Sequence, residues 1–155
     1  MAKVEKKDDV KLQVLAPNEE GIVIEMIYND ETLQETFSGR RNTLSRIANS
    51  AYTALIKKRN TIVGFIMLVE NVRTGKFEID MGILEKYRGK GYGSQALDKL
   101  KQIILNNSEK LDIEIETKMM NEAAIRSVMR NCFELYRQSH DCYYFRLPEE
   151  TKKHK

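Results

Sequence analysis

The amino-acid sequence predicts an α/β fold, a mixed sheet flanked by helices in one domain. Three observations predict it. The length, 155 residues, fits a single domain and suffices to bury a core. The composition, 41% hydrophobic and 32% charged with 2 Pro, belongs to a globular chain and excludes a disordered, collagen-like or low-complexity one. Apolar runs of strand length and stretches of helical period succeed one another in the order β-α-(loop)-β-β-β-α-β-α-β.

Each element has its own signal. Residues 11–16 form a short apolar run ended by Pro17 and predict the first strand. Asn18 stands where it would cap a helix carrying Ile22, Ile24, Met26 and Ile27, with Glu19 and Glu20 at the positive end. Residues 29–50 are polar and predict a loop with one or two helical turns. Residues 51–57 and 61–69 predict a hairpin turning at Lys58-Arg59-Asn60. Its second arm is continuously apolar, as in a strand covered on both faces. In the strand predicted over 77–84, Phe77, Ile79, Met81 and Ile83 share one face; Glu78, Asp80, Gly82 and Leu84 share the other.

The second half is more regular. Leu97, Leu100, Ile103 and Ile104 recur at helical spacing within 94–107. Residues 111–117 alternate strictly and predict a half-buried strand. Asn121 stands at the start of a helix with the stripe Ala124, Ile125, Val128 and Met129. The aromatic segment 142–147 closes the sheet, and its edge is where a homodimer would form if the chain is not a monomer. The domain therefore spans 11–147, between a flexible tail at 1–10 and a charged tail at 148–155.

Charge and reactive residues narrow the function. The net charge is +3, but residues 1–11 and 149–155 each carry one surplus charge and the body is almost balanced. A nucleic-acid module built on Arg40, Arg41, Arg46 and the tails is a weak alternative, because the aromatic-basic interleaving of RNA platforms is missing. Cys132 and Cys142 make no disulfide scaffold and no metal-type spacing, so no metal is expected. Cys132 is expected to be a small buried core residue. With only His140 and His154, a His-based triad or metal site has little to work with. The N-terminus is charged and no apolar run approaches membrane-spanning length, which predicts a soluble cytoplasmic protein with no membrane partner.

The segment that carries chemistry is Arg88-Gly89-Lys90-Gly91-Tyr92-Gly93-Ser94, between a predicted strand and a predicted helix. Alternating glycines let a backbone turn tightly with its N–H groups inward, and the helix behind adds unpaired N–H groups and a positive dipole end. Arg88 and Lys90 add charge. Together they fit a phosphate or pyrophosphate. The competing reading is a glycine-rich turn with no ligand. The spacing matches neither a P-loop nor the dinucleotide fingerprint.

Arg88-x-x-Gly91-x-Gly93 resembles the (Q/R)-x-x-G-x-(G/A) signature of the GNAT superfamily of acetyl-CoA-dependent N-acetyltransferases. Residues 77–93 resemble that family's fourth strand and pyrophosphate loop. Residues 121–133 resemble its later N-x-x-[AS]-I-x-x-x-x-x-x-G-F segment. Glu78-Ile79 and Tyr28-Asn29-Asp30 are similar to features of the branch that acetylates ribosomal-protein N-termini.

The resemblance implies a mostly antiparallel mixed sheet, splayed between strands 77–84 and 111–117 with acetyl-CoA in the gap. It implies that backbone N–H groups of Arg88, Gly89, Lys90, Gly91, Tyr92, Gly93 and Ser94 hold the pyrophosphate. It further implies that the backbone of Ile83 and Leu84 pairs with the pantetheine arm, and that Asn121 approaches the arm from the second helix. The implied reaction is direct attack of a primary amine (a small molecule, a protein N-terminus or a lysine) on the acetyl group.

A base must take the amine proton. Glu78 and Asp80 share a strand face, where partial burial would raise a carboxyl toward a useful range, and both are candidate catalytic residues. The sequence departs from the family pattern at Val128, where many members carry a Tyr acid, and at Cys132, where a Gly is usual. Ser127, Tyr136 and Tyr143 are polar residues nearby, none at the motif position. Val128 motivates a same-fold alternative, a catalytically weak acyl-CoA-binding or regulatory protein.

Overall fold

The computed structural model describes residues 9–37, 43–107 and 110–148. Seven strands are present: β1 (Lys11–Val14), β2 (Ser50–Lys58), β3 (Thr61–Glu70), β4 (Phe77–Ile83), β5 (Ile113–Lys118), β6 (Glu134–Ser139) and β7 (Cys142–Arg146). They form one sheet in the order β1-β2-β3-β4-β5-β7-β6. Every neighbouring pair is antiparallel except β4 and β5, which are parallel. Five helices cover the sheet: α1 (Glu20–Tyr28), α2 (Glu31–Phe37), α3 (Thr43–Ala48), α4 (Tyr92–Leu105) and α5 (Glu122–Arg130). The expected mixed α/β architecture is the one observed. None of the described helices is long and apolar enough to cross a membrane.

The helices divide between the two faces. Under α4 and α5 lies a core that includes Ile66, Ile79, Leu97, Leu100, Ile113, Ile115, Val128 and Phe145. Under α1, α2 and α3 lies a second core of Val23, Leu33, Phe37, Ile47, Leu55, Phe65, Met67 and Val69. Strand β3 feeds both: Ile66 and Leu68 point to one core, Phe65, Met67 and Val69 to the other. A central strand with helices on both faces has no solvated side, hence its unbroken apolar sequence.

Several elements differ from the sequence expectation. Residues 29–50 hold two helices, α2 and α3, whose buried anchors are Leu33, Phe37 and Ile47. Three apolar residues spaced among polar ones carry too little periodicity to outweigh a loop composition. Asn18 is not a cap; it has φ +72°, and Glu19 takes the N-cap position. In α4, Ile103 is 44% exposed, and the buried stripe is Ala96, Leu97, Leu100 and Ile104. In α5, Met129 is likewise exposed.

Strand β6 was not anticipated, because Glu134–Ser139 is polar and mostly exposed. It pairs outside β7, so the last strand is not the sheet edge. The packed domain also begins earlier than residue 11: Val10 is fully buried and its N–H donates to Gln95 Oε1 at 2.9 Å. Residues 1–8 and 149–155 of the two tails, with Arg40 and Arg41, lie outside the described residues.

Candidate active site

The site begins with a strand pair that does not stay paired. Parallel β4 and β5 are in register only at Phe77 with Ile113 and Glu78 with Glu114. Beyond that point they diverge. The gap between them is a hollow of about 730 Å³ walled by Ile79, Asp80 and Met81 of β4 and by Ile115, Glu116 and Thr117 of β5. Thr36 and Phe37 of α2 approach it from one side of the sheet, Ala124 and Val128 of α5 from the other. The splay expected between 77–84 and 111–117 is thus present.

Backbone geometry decides which groups of β4 face the gap. The Leu84 N–H donates to Val63 O of β3 at 2.9 Å, and the Leu84 carbonyl accepts from the Tyr87 N–H at 2.9 Å. In an antiparallel ladder, residues exchanging bonds with the neighbour alternate with residues whose N–H and C=O turn away. Ile83 and Met81 are therefore turned toward β5, where no strand partner continues. The Ile83 carbonyl accepts from Arg88 Nε at 3.0 Å. Of the two backbone positions singled out from the sequence, Ile83 faces the gap and Leu84 is used up within the fold.

The glycine loop follows directly. A 3-10 turn at Glu85–Tyr87 ends at Arg88, and Gly91 is the N-cap of α4. Gly89 has φ +77° and Gly91 φ +84°, conformations that side chains with a Cβ disfavour. A Cβ on Gly93 would lie 3.3 Å from Met81 Cε and 3.5 Å from Ile83 Cγ1, so this glycine lets α4 start close against β4.

The first α-helical bond here runs from the Gln95 N–H to Gly91 O at 3.1 Å. The N–H groups of Tyr92, Gly93 and Ser94 precede it and have no intrahelical acceptor. They open, with Arg88, Gly89 and Gly91, on a hollow of about 360 Å³ that also touches Met81, Ile83, Ser127 and Arg130. Both hollows share Thr36, Met81, Arg88, Asn121 and Ala124, so they form one trough from the loop into the gap. Lys90 does not line it.

Asn121 caps α5: its Oδ1 accepts from the Ala124 N–H at 3.1 Å. It borders both hollows. The helix behind is fixed to α4 by Asn131, whose Nδ2 donates to Ser94 O at 3.1 Å and Ser127 O at 3.0 Å.

The two candidate catalytic carboxylates share one partner. Arg46 of α3 donates from Nε to Asp80 Oδ2 at 2.6 Å and from Nη2 to Glu78 Oε1 at 3.1 Å. Burial works against the Arg46 cation, yet Asp80 and Glu78 raise its pKa overall. Asp80 is 4% exposed and lines the gap. Glu78 is held away from it by Arg46 and by Asn71, whose Nδ2 donates to Glu78 Oε2 at 3.1 Å. Arg46, named above as part of a nucleic-acid module, is spent inside the fold.

Two residues that the sequence did not single out also line the gap. Glu116 is an exposed carboxylate on β5, opposite Asp80. Thr117 is buried there. The strict alternation of β5 gave their faces; what β5 would face was not legible.

Val128 is 3% exposed and packed in the core, so no acid stands at the motif position. Ser127 borders the loop hollow, and Tyr136 donates to Glu114 on the other side of β5. Cys132 is exposed, not core, with φ +67°. Cys142 is the buried cysteine; burial, then the Glu116 carboxylate, pushes its thiol up to about 11. Among the described residues no group of three His, Cys, Asp or Glu is placed to hold a metal ion.

Residues 18–132 match the acetyltransferase (GNAT) family. No curated protein matches the chain. Solved structures share its fold at low identity. AAC(6')-Ib in complex with ribostamycin and coenzyme A has a TM-score of 0.75 and 17% identity, over 93% of this chain and 96% of that one. Naa50 of Arabidopsis thaliana, in complex with the bisubstrate analogue CoA-Ac-MVNAL, has a TM-score of 0.68 and 21% identity, over 89% and 97%. RimL, a ribosomal L7/L12 alpha-N-protein acetyltransferase in complex with coenzyme A, has a TM-score of 0.66 and 16% identity, over 89% and 93%. With the family match spanning most of the domain, and the splayed strands and glycine loop where that fold requires them, the chain belongs to the acetyltransferase (GNAT) family.

Proposed function

We propose that this chain transfers the acetyl group of acetyl-CoA to a primary amine, with the cofactor in the trough between the glycine loop and the β4–β5 gap. The observation that carries the reading is the divergence of β4 and β5 directly beside a loop of two left-handed glycines at a helix N-terminus. Acetyl-CoA supplies a thioester, whose carbonyl carbon is attacked and whose sulfur leaves with the C–S electron pair.

The chain's residues supply the rest. The N–H groups of Gly89, Gly91, Tyr92, Gly93 and Ser94 and the guanidinium of Arg88 bind the pyrophosphate. The Ile83 backbone, turned into the gap, binds the extended arm; the apolar walls Met81, Ala124 and Val128 exclude water beside it. The amine enters from the α2 side, where Asp80 of β4 and Glu116 of β5 both line the gap. Asp80, held by Arg46, orients the incoming ammonium. Glu116 reaches solvent and accepts its proton, directly or through water. This reading moves the base from the Glu78–Asp80 pair to the opposite strand.

The two free cysteines, one of them exposed, fit a reducing compartment, and we place the activity in the cytoplasm. The buried Val128 favours a second reading, a protein that binds acetyl-CoA and transfers slowly. Thiol release across a panel of amines separates the two. The enzyme turns over at least one amine and loses most of kcat in Glu116→Gln. The binder takes up acetyl-CoA but releases no thiol above the uncatalysed rate.

A further inference from the structure

Thr117 Oγ1 is the one buried side-chain oxygen or nitrogen among the described residues that has no hydrogen-bond partner. Thr117 is 6% exposed and forms part of the wall of the β4–β5 gap. Leaving a buried hydroxyl unpaired costs about 1–3 kcal/mol, so natural folds rarely keep one without use. Its direction follows from strand alternation. Ile113 and Ile115, four and two residues before it, lie in the core under α4 and α5. Thr117 continues that face, on the side where Val128 of α5 borders the same gap. Glu116 points to the opposite face. The two neighbours on β5 therefore serve opposite sides of the sheet: Glu116 the acceptor side, Thr117 the cofactor side.

We propose that Thr117 Oγ1–H is the hydrogen-bond donor to the sulfur end of acetyl-CoA. The inference rests on the trough reading given above. On this face of the gap its neighbours Ile115, Leu97 and Val128 contribute no donor. An uncharged donor suits a sulfur that carries little charge when bound and negative charge when it leaves. The hydroxyl keeps its proton throughout; the amine proton goes to Glu116, and the thiolate is later protonated from solvent. No acid is then needed at position 128.

The test compares coenzyme A with desulfo-coenzyme A, in which hydrogen replaces the thiol, by calorimetry on the full chain. Thr117→Val keeps the shape and removes the donor. It is expected to bind coenzyme A about fivefold more weakly and desulfo-coenzyme A unchanged, the size of one neutral hydrogen bond. Thr117→Ser is expected to keep coenzyme A affinity within about twofold. A melting temperature equal to or above wild type in Thr117→Val confirms that the fold is intact, since an unpaired hydroxyl has been removed. Thiol release is expected to lose about tenfold in kcat, a donor to a charged atom being the stronger kind, with KM for the amine unmoved.

Equal affinities of wild type and Thr117→Val for coenzyme A overturn the proposal, as does equal weakening of both ligands. Should Thr117→Val not fold, Thr117→Ala and Thr117→Ser are compared on the same two ligands, with the same outcomes. Wild-type protein that binds neither ligand overturns the trough reading itself, and is told apart because no variant is involved.

Discussion

Arg46 Nε sits 2.6 Å from Asp80 Oδ2, which joins the short helix α3 to the middle of β4 through a buried ion pair. The pair couples the least regular segment of the chain to the wall of the gap. Removing one member of a buried pair costs about 3–5 kcal/mol, because the other charge is left in a poorly solvated place. Arg46→Met is therefore expected to lose stability of that order by urea denaturation. Arg46→Met combined with Asp80→Leu is expected to recover part of it, since the buried carboxylate is removed with its cation while Glu78 keeps only Asn71.

Gly91 has φ +84° and open space where a Cβ would stand, so its conformation, not room, excludes side chains. Gly91→Ala is expected to cost roughly 1–2 kcal/mol by denaturation. Acetyl-CoA affinity should fall at least tenfold by calorimetry, because a shifted turn misaims the N–H groups behind it.

Cys132 holds φ +67°, where the family usually has Gly. Cys132→Gly is expected to stabilise the chain by roughly 0.5–1 kcal/mol, relief of the left-handed strain outweighing the added unfolded-state freedom. The two thiols should also differ in reactivity. Cys132 is exposed; Cys142 is buried, with its thiol pushed up to about 11. Alkylation of native protein at neutral pH should modify Cys132 alone, and mass spectrometry reads the site. Cys142 should react only as pH approaches its raised value, or after unfolding.

Asp30 caps α2 through Oδ1, which accepts from the Thr32 N–H at 3.0 Å, the Thr32 hydroxyl at 2.5 Å and the Leu33 N–H at 3.2 Å. Its Oδ2 accepts from the Glu85 N–H at 2.8 Å, tying α2 to the turn before the glycine loop. Desolvation pushes the carboxyl up, but these hydrogen bonds outweigh it and hold Asp30 below the ordinary carboxylate value. A depressed folded pKa means the stabilisation is complete above the unfolded pKa, near 4, and is lost as pH falls through the folded one. Asp30→Ala is expected to lose about 1 kcal/mol at neutral pH. Its acid-side stability loss should be shallower than that of wild type, read from urea midpoints between pH 2 and 6.

The strands and the glycine loop were legible because each is a local pattern. Ile62 to Val69 has no polar residue to mark a solvated face, and Gly89, Gly91 and Gly93 have no reason to alternate in an ordinary turn. The site's walls were less legible because they depend on which strands become neighbours. Glu78 and Asp80 share a face as expected, but only the fold brings Arg46 onto both of them from 32 and 34 residues away. Glu116 and Thr117 look alike in an alternating strand; their separate uses appear only once β5 lies across from β4. Strand β6 was missed because an edge strand has little apolar sequence to announce it.

The central claim is that the loop from Arg88 to Ser94 receives the pyrophosphate of acetyl-CoA. Amide NMR of the full chain during an acetyl-CoA titration tests it most directly. Saturable shifts should be largest for the N–H groups of Gly89, Gly91, Tyr92, Gly93 and Ser94, with smaller ones at Ile83 and Thr117. Saturable binding that leaves those amides unmoved, or no shift anywhere at millimolar acetyl-CoA, would contradict the account.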